Sequence, residues 1–186
     1  MIIKESNRKD VEARLSTMGD YVKIDYLSEL LKNNLDYDTR RFVLLKLASI
    51  YKNKGMLAEA GRLVRNAADI NTTYEGMMND YTKAMQLFIQ SGDFDEADIS
   101  LNKAVASCNT EGQRAAIKIK RKETIQLQAQ EYIKRDKRKH AMLAFEKLLS
   151  IRETNSDEKR QAQTQLLRLY EQLGKVKEFY NLQKSM

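Results

Sequence analysis

Proline and tryptophan are absent from the 186 residues, and glycine occurs only seven times. Without proline no ring removes a backbone donor inside a helix, and few glycines mean few easy places to break one. Leu, Ala, Lys, Glu, Gln, Arg and Met, the good helix formers, fill the chain instead. Helix is therefore expected throughout. The single cysteine, Cys108, has no partner for an internal disulfide. With the single histidine, His140, it falls short of a Cys/His zinc site. The opening MIIKESNRKD turns charged after three residues and carries no secretion-signal core. No run approaches the ~20 apolar residues of a membrane span. These features predict a chain off the membrane in a reducing cytoplasm.

Patterns that carry chemistry are also lacking. The glycines are scattered, with no GxGxxG or GKS/GKT string to cradle phosphate. His140 lies in a lysine-rich turn and reads as a solvated residue, not a general base. Cys108 falls at a helix end, away from any positive end that would activate it. Asp93, Asp95, Glu96 and Asp98 lack the alternation of a calcium loop and suit a helix start. The expectation is a non-enzymatic protein with no catalytic residue, metal or cofactor.

Charge is unevenly divided. Residues 1–111 hold 15 Lys/Arg against 17 Asp/Glu, a balance of −2, while residues 112–186 hold 18 against 9, a balance of +9. Segregated charge suits an acidic partner. Lys118, Arg121 and Lys122, at helical steps, and Lys137 and Lys139 beyond them form a candidate basic patch. Nucleic acid is one partner that would fit, although no aromatic residues interleave with the charge for stacking.

The chain repeats itself. Turns start at Gly19, Gly55, Gly92, Asp136 and Gly174, as GDYVKI, GMLAEA, GDFDEA, DKRKHA and GKVKEF. Leu15, Tyr51, Phe88, Tyr132 and Tyr170 stand four residues before them; Ile24, Ala60, Ala97, Ala141 and Phe179 stand five after. Tyr21, Leu57, Phe94, Arg138 and Val176 stand two after. Glycine permits a left-handed turn past a helix end, and a small residue in the second helix permits close packing. The apolar stripe continues through Val64, Ala67, Leu101, Ala104, Phe145 and Leu148. The spacing predicts five helical hairpins, at about 7–33, 38–70, 73–107, 111–151 and 156–184. Capping boxes are expected at Thr72/Glu75 and Thr110/Gln113, and the helix starting near Glu111 should be the longest.

Those columns resemble the tetratricopeptide repeat family. Residues 41–74 carry the pattern best, with Leu44, Leu47, Ala48, Tyr51, Gly55, Ala60, Val64 and Ala67. Residues 78–111 follow with Phe88, Gly92, Ala97, Leu101 and Ala104. Asp136 replaces the turn glycine in the third good unit, and Phe179 replaces the alanine in the last. The resemblance implies an all-α fold, a right-handed α-solenoid of about five antiparallel hairpins in one domain. It further implies a concave groove lined by the first helix of each hairpin, where a protein-binding scaffold or adaptor would hold a peptide or helix. Carried over residue by residue, the groove takes Phe42, Leu45, Ser49, Lys52 and Asn53, then Asn79, Thr82, Gln86, Ile89 and Gln90. It continues with Glu123, Gln126, Gln130, Ile133 and Lys134, then Gln161, Thr164, Arg168, Glu171 and Gln172. An amide both donates and accepts, so such a row can bind a peptide backbone without demanding a sequence. Phe179 and Tyr180 near the C-terminus offer a surface for pairing with a second copy.

Overall fold

In the computed structural model, which describes residues 7–186, ten α-helices and no strand are found among the described residues. They are α1 (Arg8–Leu15), α2 (Asp20–Leu30), α3 (Tyr37–Asn53), α4 (Leu57–Asp69) and α5 (Tyr74–Ser91). After them come α6 (Phe94–Ala106), α7 (Glu111–Lys134), α8 (Arg138–Leu149), α9 (Ser156–Gln172) and α10 (Val176–Ser185). The all-α expectation holds, and α7, at 24 residues, is the longest helix. Packing divides the chain into two compact units, Met1–Gln113 and Arg114–Met186. In the first, α3 to α6 pack as consecutive neighbours and α1 and α2 pack on α3; in the second, α9 packs on both α8 and α10. Among the described residues, no helix is long and apolar enough to cross a membrane.

Four of the turns share one construction. Gly55, Gly92, Asp136 and Gly174 are left-handed, with φ of 78°, 86°, 52° and 66°. The N–H of the following residue donates to the carbonyl of the aromatic residue before the turn. The pairs are Met56 to Tyr51 (2.9 Å), Asp93 to Phe88 (2.9 Å), Lys137 to Tyr132 (2.9 Å) and Lys175 to Tyr170 (2.8 Å). The left-handed residue's own N–H donates three residues back, completing a Schellman motif. The glycine and aromatic columns are thus two parts of one device. The aromatic backbone closes the helix, while the rings of Phe88, Tyr132 and Tyr170 are buried. Asp136 adopts without glycine a conformation that short polar side chains tolerate better than most.

Gly19 departs from the expected turn. Its φ is −76°, and it stands as the extended N-cap of α2. The column two residues past each turn is not a core column: Tyr21 and Val176 are 78% and 62% exposed, and Arg138 is exposed. These residues begin the second helix of a hairpin, before its inward face is established.

The small-residue column lies where close helix packing requires it. Ala60 and Ala141 are fully buried and Ala97 is nearly so, and Ala67 and Ala104, about two turns after Ala60 and Ala97, are fully buried too. Phe179, bulky at the same position, is only half-buried, and α10 buries no residue. The expected cap at Thr72 moves by one residue. Thr73 accepts from the Gly76 N–H at 3.1 Å because Asn71 already holds the Thr73 N–H and hydroxyl. Thr110 and Gln113 do form a reciprocal box, and a second box pairs Asn155 with Glu158.

Candidate functional site

Each unit contains a cleft between the first helices of two successive hairpins, with the intervening helix beneath. In the second unit α7, α8 and α9 enclose about 590 Å³. The walls bring together Gln126, Gln130, Ile133 and Lys134 of α7 with Gln161, Thr164 and Gln165 of α9, and Phe145 and Leu148 of α8 supply buried apolar surface between them. Gln126, Gln130, Gln161 and Gln165 make no side-chain hydrogen bond to another described residue, so both ends of each amide are open to a ligand. The Thr164 hydroxyl donates to the Arg160 carbonyl at 2.9 Å, leaving it as an acceptor. Arg160 also lines the cleft.

An ion pair ties the middle of α7 to the first turn of α9. Lys122 Nζ donates to Glu158 Oε1 and Oε2 at 2.8 and 2.9 Å, with side chains only 12% and 21% exposed. Glu158 Oε2 also accepts from the Asn155 N–H at 2.9 Å. The Lys122 hydrogen bond, helped by that N–H, holds the Glu158 carboxyl below the usual carboxylate range. On the other side of α9, the Tyr170 hydroxyl donates to Glu146 Oε1 at 2.8 Å. Burial, then that hydrogen bond to the carboxylate, pushes the Tyr170 phenol above its ordinary value.

The first unit has a smaller cleft of about 450 Å³ between α3 and α5 over α4. It gathers Leu45, Ser49 and Lys52 with Lys83, Gln86 and Gln90, and Val64 of α4 lies below. Its surroundings are heavily cross-linked. Asp80, 1% exposed, accepts on Oδ2 from Arg41 Nη2 (2.6 Å), Arg41 Nε (3.1 Å) and Asn71 Nδ2 (3.1 Å). Asp69 Oδ1 accepts from the Tyr81 hydroxyl (2.5 Å) and Lys103 Nζ (2.7 Å), and Arg65 pairs with Glu96. Burial pushes the Asp69 carboxyl up, but the Lys103 and Tyr81 hydrogen bonds outweigh it and hold the group low.

The resemblance-derived positions therefore divide. Gln86 and Gln90 line one cleft, and Gln126 and Gln130 the other. Asn79 and Arg168 are exposed outside both linings, and Thr82 donates its hydroxyl to the Met78 carbonyl of its own helix. Ile89 is fully buried and Phe42 nearly so, and both belong to the core. Arg160 and Gln165 were missed because neighbours of α9 reach the cleft beside the positions carried over.

The basic patch also divides. Lys137 and Lys139 are exposed, but Lys118 and Arg121 are half-buried and Lys122 is held by Glu158. An exposed face shared by Lys118, Arg121 and Lys122 is not what forms. The acidic partner of Lys122 comes from the next hairpin, which no local pattern announces. Among the described residues, no group of three His, Cys, Asp or Glu side chains is placed to hold a metal ion. No protein-family model matches the chain, and comparison with curated proteins finds no match.

Proposed function

We propose that this chain is a non-enzymatic, cytoplasmic scaffold of divergent tetratricopeptide-like hairpins that holds an extended peptide segment of a partner protein. The second unit's cleft is the principal site. What supports this reading is that four amides, from two helices a hairpin apart, face one cavity without partners and with buried apolar surface between them. Free amides there can pair with a peptide's N–H and C=O groups, while Phe145 and Leu148 receive one apolar side chain.

Selection of displayed random peptides against the full chain tests the reading. Enriched peptides should bind Gln126→Ala/Gln130→Ala about tenfold more weakly, the loss of one to two net hydrogen bonds. The variant should melt close to the parent, since Gln130 is exposed and the half-buried Gln126 has no side-chain partner to lose. A library that does not enrich, or enriched peptides indifferent to the double variant, would sink the proposal.

A further inference from the structure

The two hairpin turns of the second unit carry the same charge pattern. Lys137 and Lys139 stand one and three residues past the left-handed Asp136; Lys175 and Lys177 stand one and three past Gly174. The equivalent positions in the first unit are Met56 and Ala58, then Asp93 and Asp95. The Lys122–Glu158 pair places α7 and α9 side by side. From that pair, 12 residues of α7 and 14 of α9 rise to their ends, roughly 18 and 21 Å at helical pitch. Both turns therefore reach the same edge of the unit, separated by on the order of 10 Å, a helix-packing distance.

All four lysines are exposed. Four acidic groups lie beside these turns, and three have a cation already: Asp136 with Arg138, Glu131 with Arg135, and Glu178 with Lys175; Glu171, three residues before Gly174, is exposed and has none among the described residues. Lys137 and Lys139 have no acidic partner among the described residues, while Lys177 shares Glu178 with Lys175. Local stability does not account for them. Lys137 precedes α8, whose first turn is Arg138, Lys139 and His140 without an acid, opposite to what the helix dipole favours.

We infer that this turn edge binds the phosphodiester backbone of a duplex nucleic acid. A row of mobile point charges at matched register suits evenly spaced phosphates and carries no means of reading bases. Tyr132 and Tyr170 are buried under the hairpins, and Tyr180, 57% exposed one turn past Lys177, stands beside one lysine alone, so a single strand would find no row of stacking rings along the edge. The surplus of +9 over residues 112–186 draws a polyanion to this half of the chain. This surface is separate from the amide-lined cleft and does not depend on it.

Fluorescence anisotropy of the full chain with a labelled DNA duplex, and with an RNA duplex of the same sequence, tests the inference. About three phosphate contacts predict an affinity loss of about 40-fold between about 50 and 200 mM NaCl for both duplexes. Lys137→Ala/Lys139→Ala should melt with the parent and reduce that loss to roughly 3- to 4-fold, one contact being left. Lys120→Ala, at an exposed position of α7 away from the turns, should bind as the parent does. Absence of duplex binding at the lower salt overturns the inference, as does equal weakening by Lys120→Ala and the double variant. Polyglutamate that competes as well as duplex at equal charge would assign the edge to acidic proteins and overturn it too.

Discussion

In the first unit polar side chains are tied to one another across hairpins: Arg41 and Asn71 to Asp80, Tyr81 and Lys103 to Asp69, Arg65 to Glu96. In the second unit Lys122–Glu158 and Tyr170–Glu146 make such links, while Gln126, Gln130, Gln161 and Gln165 are left free around the larger cleft. The turns differ in the same sense. Asp93 caps α6 in the first unit, whereas Lys137 and Lys175 stand in that position in the second without a side-chain cap. One repeat plan is thus filled in two ways. The first unit ties more of its polar side chains across hairpins than the second does.

The largest test of that contrast is Arg41→Met. It would leave the Asp80 carboxylate buried with Asn71 and a lysine, Lys83, 3.8 Å away. Removing the main partner of a buried charge is strongly destabilising, and about 3 kcal/mol is expected in denaturant unfolding of the full chain. Lys122→Met, in the second unit, should cost about 1 kcal/mol because Glu158 retains its backbone donor and reaches water. Equal losses at the two positions would remove the basis for distinguishing the units.

Much of the fold was legible because it rests on short-range patterns. Ala60, Ala97 and Ala141 recur at a fixed distance from the turns, and that distance is set by one hairpin. The aromatic four residues before each turn was visible for the same reason. Partners far apart in sequence were not. Asp80 sits in the polar run NDYT, and its burial depends on Arg41, 39 residues earlier. Lys122 looks like part of a charged face until α9 brings Glu158 to it from 36 residues away. The lysines after Gly174 were in plain view in GKVKEF, but their significance lies in sharing an edge with DKRKHA, which needs the packing of α7 on α9.

A smaller effect separates the turns themselves. Gly55, at φ of 78°, has open space where a Cβ would stand, so Gly55→Ala tests backbone conformation alone. It should cost about 1 kcal/mol. Asp136→Gly moves in the opposite direction and should gain up to about 1 kcal/mol, reduced by the extra chain entropy of glycine. The exposed Asp136–Arg138 pair that it removes contributes little. Paired thermal melts would show opposite shifts if the four turns are equivalent; shifts of the same sign would show that Asp136 is favoured by contacts beyond its backbone.

The smallest change bears on both stability and the basic edge. The residues just past the four left-handed turns share one backbone conformation: Met56 (φ −82°, ψ 67°), Asp93 (−90°, 80°), Lys137 (−86°, 62°) and Lys175 (−85°, 63°). Asp93 uses it to accept the Glu96 N–H on Oδ1 at 3.2 Å. Lys137→Asp should place a carboxylate in the same relation to the His140 N–H, three residues on, without moving the backbone. It would also set a negative charge against the positive end of α8 and beside Arg138 and Lys139. Capping and dipole together should raise stability by about 0.5–1 kcal/mol. The same substitution reverses a charge on the turn edge, so duplex affinity should fall as the melting temperature rises. A fall in both would mean that Lys137 supports the fold through contacts its exposure does not suggest. A rise in stability with unchanged duplex binding would keep the capping argument and remove Lys137 from the binding edge.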